Sequence, residues 1–447
     1  MDRLKDIDLD AIWARLHEPV IIAGVVGGVA VLYLGLVRAL RWRRYNAIHK
    51  KYEAKWKAGK LTPAEAQRVM HVSSVYDMPL LLNKALAFAL FKTYGIPTIS
   101  GLLAATRELG SAEKVARRYA DTEILIATWV GCPINGFHNT TADPDPNTPA
   151  EDPRASIAIA RTNFLHSKYK ISNDDYLYTL ALFVLEPATW AQRYGWRTLS
   201  PMEQDAFFIF WQDVGKKMGI TDIPSTLKEL TAWSKSYEEV YMVPDESNNL
   251  VAGFTTGELL YAVPKALGLK AFGERIVIAL LEERVRIAML LPAQPRPIHW
   301  LVETLMNSVW IYQRWFSLPR RDSNPQFSVT INLPKPDANG EIRLRPVEFR
   351  STPWYKGEPT TFFGRGLSKL LVKLGYYGDV PAPKYHSKGY RIEEVGPQSA
   401  EGVGIDEVMR NAAKIQGCPI AAPWAPKTTL ASSVPNPHAQ DPLISFD

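Results

Sequence analysis

Cysteine is scarce: Cys132 and Cys418 are the only two in 447 residues. Two thiols cannot build a disulfide framework. Neither stands in a CxxC-type pair, which argues against structural zinc, and a reducing compartment fits best. The eight histidines form no HxxxH, HExxH or ExxH motif. That argues against di-iron helix boxes and zinc-protease helices. No glycine-rich loop leads into Lys-Ser or Lys-Thr at a helix start, and no GxSxG turn offers a nucleophilic serine. No repeat of solenoid length is present.

Surplus charge is also scarce, apart from one place. The net charge is +6, yet Arg38 to Lys60 alone holds nine Lys or Arg against one acid, Glu53. The remainder is close to neutral, so no general basic surface exists and nucleic acid is not an expected partner. Apolar residues make up 46% and charged residues 22%, which suits a folded chain. Its length exceeds what one hydrophobic core usually organises, so one large domain with additions, or two domains, is expected.

What the chain does have begins with Pro19 to Val37, a charge-free stretch of 19 residues. As a helix it spans roughly 28 Å, enough for a hydrocarbon core of about 30 Å. It is too long for a secretory signal core, and no small-residue cleavage site follows. Met1 to Glu18 carries more acids than bases, whereas Arg38, Arg41, Arg43 and Arg44 follow the stretch. The positive-inside rule therefore predicts a single-pass anchor with a lumenal amino end and a cytosolic body. Gly24 and Gly28 form a GxxxG, either a helix-dimer seam or a tolerated small-residue pair.

Beyond the anchor the pattern is helical. Thr62, Pro63 and Glu65 read as N-cap, first helical position and first turn. Met78 to Phe91 is an apolar helix stopped at Gly95 and Pro97. Ser111 caps a helix on which Arg118, Thr122, Leu125 and Trp129 share one face. The loop 135–152 reads as an exposed insertion. Ile157 to Tyr169 is a core-facing helix that carries His166. Further helices are predicted at Tyr176–Leu185 (ended by Pro187), Phe207–Met218, Leu227–Tyr241, Thr256–Leu267, Phe272–Leu290 and Trp300–Phe316. Little before residue 325 alternates with period two, so the body is all-α. Later, 327–332 and 343–349 read as two short paired strands, Phe363–Leu374 and Ile405–Ile415 as helices, and the end as disordered.

A single-histidine haem remains possible after these exclusions. Haem needs only one firm protein ligand, and His166 on a helix could supply it. Arg118 and Thr122, one turn apart, could then shape the oxygen side. The residues alone leave this open. A lone helical histidine is more often a satisfied core or surface residue, Arg118 with Asp121 reads equally as a surface pair, and the 300–316 aromatics read as core packing.

Several ordered stretches carry a resemblance: FKTYGIPTIS (91–100), RRYADT (117–122), RTNFLHSKY (161–169), YTLALF (178–183), YMVPD (241–245), LLYAVPK (259–265) and KGYRIEEVGP (388–397). With them the chain resembles the fungal endoplasmic-reticulum-bound MpaB-type oxygenases, relatives of the bacterial rubber oxygenases or latex clearing proteins. The resemblance implies a globin-like helical core that holds haem b and uses dioxygen on an isoprenoid C=C bond. It puts His166 at the proximal ligand, with Arg161 nearby as cofactor-binding. It puts Arg118 and Thr122 on the distal helix. There Asp121 replaces an iron-capping lysine, and Leu102 stands where a distal glutamate is expected.

The expected layout is a lumenal segment 1–18, a transmembrane helix 19–40, a basic juxtamembrane segment 41–75, a helical haem-binding domain 76–325, an extension 326–397 packed on it, and a mostly disordered tail 398–447. The expected function is an oxygenase of the endoplasmic reticulum membrane acting on a lipophilic isoprenoid, meroterpenoid or polyketide. The alternative is a non-catalytic, membrane-tethered haem- or lipid-binding protein on the same fold.

Overall fold

An apolar helix of 23 residues, α1 (Pro19–Arg41), leads into the basic α2 (Arg43–Lys57). The computed structural model describes residues 19–424, apart from 107, 109–111, 139–144, 146, 264–267, 338–339 and 349–350. The expected lumenal segment, the Ser111 cap and the chain beyond 424 lie outside the described residues. From α1 to α2 the chain is one helical run long and apolar enough to cross a membrane.

Helix α3 (Pro63–His71) starts where its residues dictate: Thr62 Oγ1 accepts from the Glu65 amide, and the Glu65 carboxylate accepts from the Thr62 amide. A π-helical turn, Val72–Asp77, leads into α4 (Pro79–Thr93) and α5 (Pro97–Ala105). Then come α6 (Ala112–Gly131), α7 (Arg154–His166) and α8 (Asn173–Tyr194). The predicted stop at Pro187 does not occur; α8 runs straight through it. Proline forfeits one amide donor, the bond to Phe183, without ending a helix packed along its whole length. The series continues with α9 (Pro201–Lys217), α10 (Leu227–Tyr241), α11 (Glu246–Leu259), α12 (Leu269–Leu280), α13 (Glu283–Ala288) and α14 (Arg296–Trp315). The predicted Phe272–Leu290 helix is thus two, α12 and α13.

Helix α7 lies at the centre. Eleven of its 13 residues are buried, as expected of a helix enclosed on all sides. Ala155, Ala158 and Ala160 keep it thin. Helix α6 packs on it, α4 and α9 pack on α8, and α12 packs on α14.

The fold is all-helical: among the described residues there is no strand, only one isolated bridge between Leu344 and Tyr390. The predicted pairing of 327–332 with 343–349 is therefore corrected. Val329 is buried against α6, where a side chain at Gly131 would clash with it. Leu344 instead exchanges both backbone bonds with Tyr390. Helix α15 (Phe362–Lys373) follows. Within the stretch expected to be mostly disordered, 398–424 carries α16 (Ile405–Gln416), which lies against α7. Val408, Met409 and Ala412 supply its buried face, and the Gln416 side chain accepts from Ser156 Oγ at 2.6 Å and donates to the Asn135 carbonyl.

Candidate active site

Helices α4 to α9 surround a cavity of about 580 Å³, within the range of small-molecule sites of about 300–1,000 Å³. Leu82, Leu86 and Leu90 of α4, and Leu180 and Phe183 of α8, make much of its wall apolar. Helix α6 contributes Arg118, Tyr119, Thr122 and Glu123. Helix α7 contributes Thr162 and His166, one turn apart on the same face.

His166 is the last helical residue of α7 and is half-buried. Its Nδ1 is buried without a hydrogen-bond partner, which is uncommon for a buried polar atom. Burial, and secondarily the positive charge of Arg118, push the imidazole down to about 4. A neutral ring at physiological pH is the form that binds a metal. Tyr176 stands beside it, ring centroids 5.6 Å apart.

Arg118 donates from Nη1 to Thr122 Oγ1 at 2.8 Å, and Thr122 donates to the Arg118 carbonyl at 2.8 Å. The pair is thus self-braced along one helix turn, with further guanidinium donors beyond the one given to Thr122. Among the described residues no group of three or more His, Cys, Asp or Glu is placed to hold a metal ion.

The sequence profile of the family described as "ER-bound oxygenase mpaB/B'/Rubber oxygenase, catalytic domain" matches residues 153–309, which include His166. ER-bound oxygenase mpaB' of Penicillium brevicompactum is 32% identical over 406 residues, 86% of this chain and 90% of the relative. The chain belongs to this oxygenase family. ER-bound oxygenase mpaB of Penicillium roqueforti (strain FM164) is 36% identical over 281 residues, 59% of this chain and 88% of its own. The mpaB of Penicillium brevicompactum is 36% identical over 251 residues, 52% of this chain and 60% of its own.

Three of the four site residues expected from the family pattern, His166, Arg118 and Thr122, line one cavity. Arg161 does not. It is fully buried, and its guanidinium donates to the carbonyls of Val395 at 2.7 Å, Ala400 at 2.9 Å and Val403 at 2.9 Å. Five residues before His166 it points to another side of α7, since five steps of 100° miss the same face. Asn163 donates to the Lys217 carbonyl at 3.0 Å.

Both departures from the family pattern find a place. Asp121 is buried and turned away from the cavity, where it accepts from the Tyr355 hydroxyl at 2.6 Å. Burial pushes its carboxyl up to about 7. Leu102 does line the cavity, as an apolar side chain. Reading the sequence missed Glu123, a carboxylate on the same wall as Arg118 and Thr122. The signal was there: Glu123 lies four residues after Tyr119 and shares a helix face with that cavity residue.

Proposed function

We propose that the chain is a membrane-anchored, haem-b-dependent oxygenase that uses dioxygen on a C=C bond of a lipophilic isoprenoid, meroterpenoid or polyketide intermediate of fungal secondary metabolism. The observation that carries the reading is the neutral, unpartnered imidazole of His166 on a largely apolar cavity. That cavity offers no ligand cluster, so an iron there would take one bond from the protein and the others from a macrocycle. The residues fit such a group, with His166 as its ligand.

Haem supplies the oxygen chemistry, and the protein supplies orientation and dryness. Thr122 fixes the guanidinium of Arg118, which keeps donors for an acceptor within the cavity. Leu82, Leu86, Leu102 and Phe183 exclude water and suit a hydrocarbon chain. Glu123 and Asp175 are the carboxylates on the cavity wall, and Glu123, on the helix of Arg118 and Thr122, is the one assigned to hold or accept a proton in the absence of a glutamate at 102. Helix α1 would anchor the enzyme in the endoplasmic reticulum membrane, amino end lumenal and cavity cytosolic, where such a substrate partitions. Gly24 and Gly28 both stand open on α1, so a second copy could pack there.

The test is haem content. Purified protein should carry close to one haem with a Soret band; a folded but colourless protein would refute the reading. The apolar Leu102 favours one other reading, a non-catalytic haem or lipid carrier. Incubation with prenylated lipids and oxygen separates the two: aldehydes or ketones by mass spectrometry support the enzyme, and their absence from haem-loaded protein supports the carrier.

A further inference from the structure

We propose that the folded body itself lies on the bilayer, with α14 and α15 set into the headgroup boundary beside the α1 span. Helix α14 has two apolar arcs. Ile298, Val302 and Met306 pack against α12. A broad adjoining arc, from Trp300 through Leu301, Tyr312 and Leu305 to Val309 and Phe316, is exposed, Trp300 by 68%. Arg296, Glu303 and Arg314 form a narrow polar stripe between the arcs. A helix of a water-surrounded protein turns a polar face outward, and an exposed apolar arc of this extent marks an interaction surface.

The occupant follows from what adjoins this face. The Tyr33 hydroxyl of α1 donates to the Phe316 carbonyl at 2.7 Å, and Arg41 donates to the carbonyls of Gln313 and Ser317. The Arg38 guanidinium lies 5.7 Å from the Trp315 ring. The carboxyl end of α14 therefore sits where the apolar run of α1 gives way to arginines, the level of the headgroups. Trp and Tyr, apolar rings with a polar edge, suit that level.

Helix α15 points the same way independently. It has no buried residue, and Phe362 and Phe363 are 90% and 80% exposed. Phe363, Leu367 and Leu370 share one face, Arg365, Lys369 and Lys373 flank it, and no acid occurs in the helix. A basic amphipathic helix of this kind lies in the plane of an anionic membrane surface.

The inference rests on α1 as a span, and the experiment separates the two. Single cysteines replace Val29, Trp300, Leu305, Tyr312, Leu367 or Arg410 in the full chain, whose own two cysteines are buried. Each variant carries an environment-sensitive fluorophore and is reconstituted in phosphatidylcholine–phosphatidylserine vesicles with or without nitroxide lipid. Labels at 29, 300, 305, 312 and 367 should each be quenched about two-fold or more, as for groups within the bilayer boundary. Arg410→Cys, on α16, should not be. Quenching at 29 alone overturns the proposal and leaves the span. No quenching at 29 overturns the span. Labels at 300–312 that are shielded but unquenched, in a larger assembly, assign the face to a protein partner and overturn the proposal.

Discussion

His166 and Asp121 titrate in opposite senses, and each leaves a pH signature. The imidazole is pushed from 6.5 down to about 4. The unfolded chain therefore takes up a proton at higher pH than the folded one, and stability is lost as pH falls through that window. Thermal melts of cofactor-free protein from pH 7 to 4 should show the loss, and His166→Leu should flatten it; an unchanged profile contradicts the assignment. The Asp121 carboxyl is raised from 3.8 to about 7. Here the folded state holds the extra proton, so stability is full below 3.8 and lost as pH rises through 7. Asp121→Asn should remove that decline between about pH 4 and 7, and a variant that declines as the wild type does would contradict it. At the cavity, Arg118→Leu should lower turnover on the order of 10²-fold, the usual cost of removing a positioned donor, with haem retained. Equal turnover would remove Arg118 from the machinery.

Among the elements, α7 does two jobs from two faces. Thr162 and His166 serve the cavity, while Arg161 pins the segment from Val395 to Val403. Arg161→Met should cost on the order of 3 kcal/mol or more, because it leaves the buried carbonyls of Val395, Ala400 and Val403 without their donors. The Soret maximum should stay unchanged; a shifted maximum would return Arg161 to the cofactor's surroundings. Periodicity and capping made most helices legible, from the Thr62–Glu65 box to Leu227–Tyr241, since local propensity and burial agree there. The shared face of Arg118, Thr122, Leu125 and Trp129 was legible for the same reason. What escaped depends on long-range packing. Pro187 looked like a stop because its neighbours could not be seen, and Val329 looked like a strand because its partner, α6, is distant in sequence. Asp121 looked equivalent to a cavity residue until Tyr355, from far along the chain, claimed it.

At the scale of the whole molecule, the proposed orientation rests on α1 and the arginines that follow it, and the sequon Asn139-Thr140-Thr141 reports on it. In microsomes that site should remain unglycosylated; a glycan on Asn139 would place the loop in the lumen and reverse the topology. In the proposed reading, the anchor, the apolar arc of α14 and the apolar cavity belong to one enzyme that meets its substrate at a membrane. The proposal depends on a single bond from the His166 imidazole to iron. The most direct measurement is the optical spectrum of purified His166→Gly, with and without imidazole added to the medium. The Soret band should be lost in the variant and return as imidazole fills the space left by the side chain. A His166→Gly protein that keeps the wild-type spectrum without added imidazole would contradict the account.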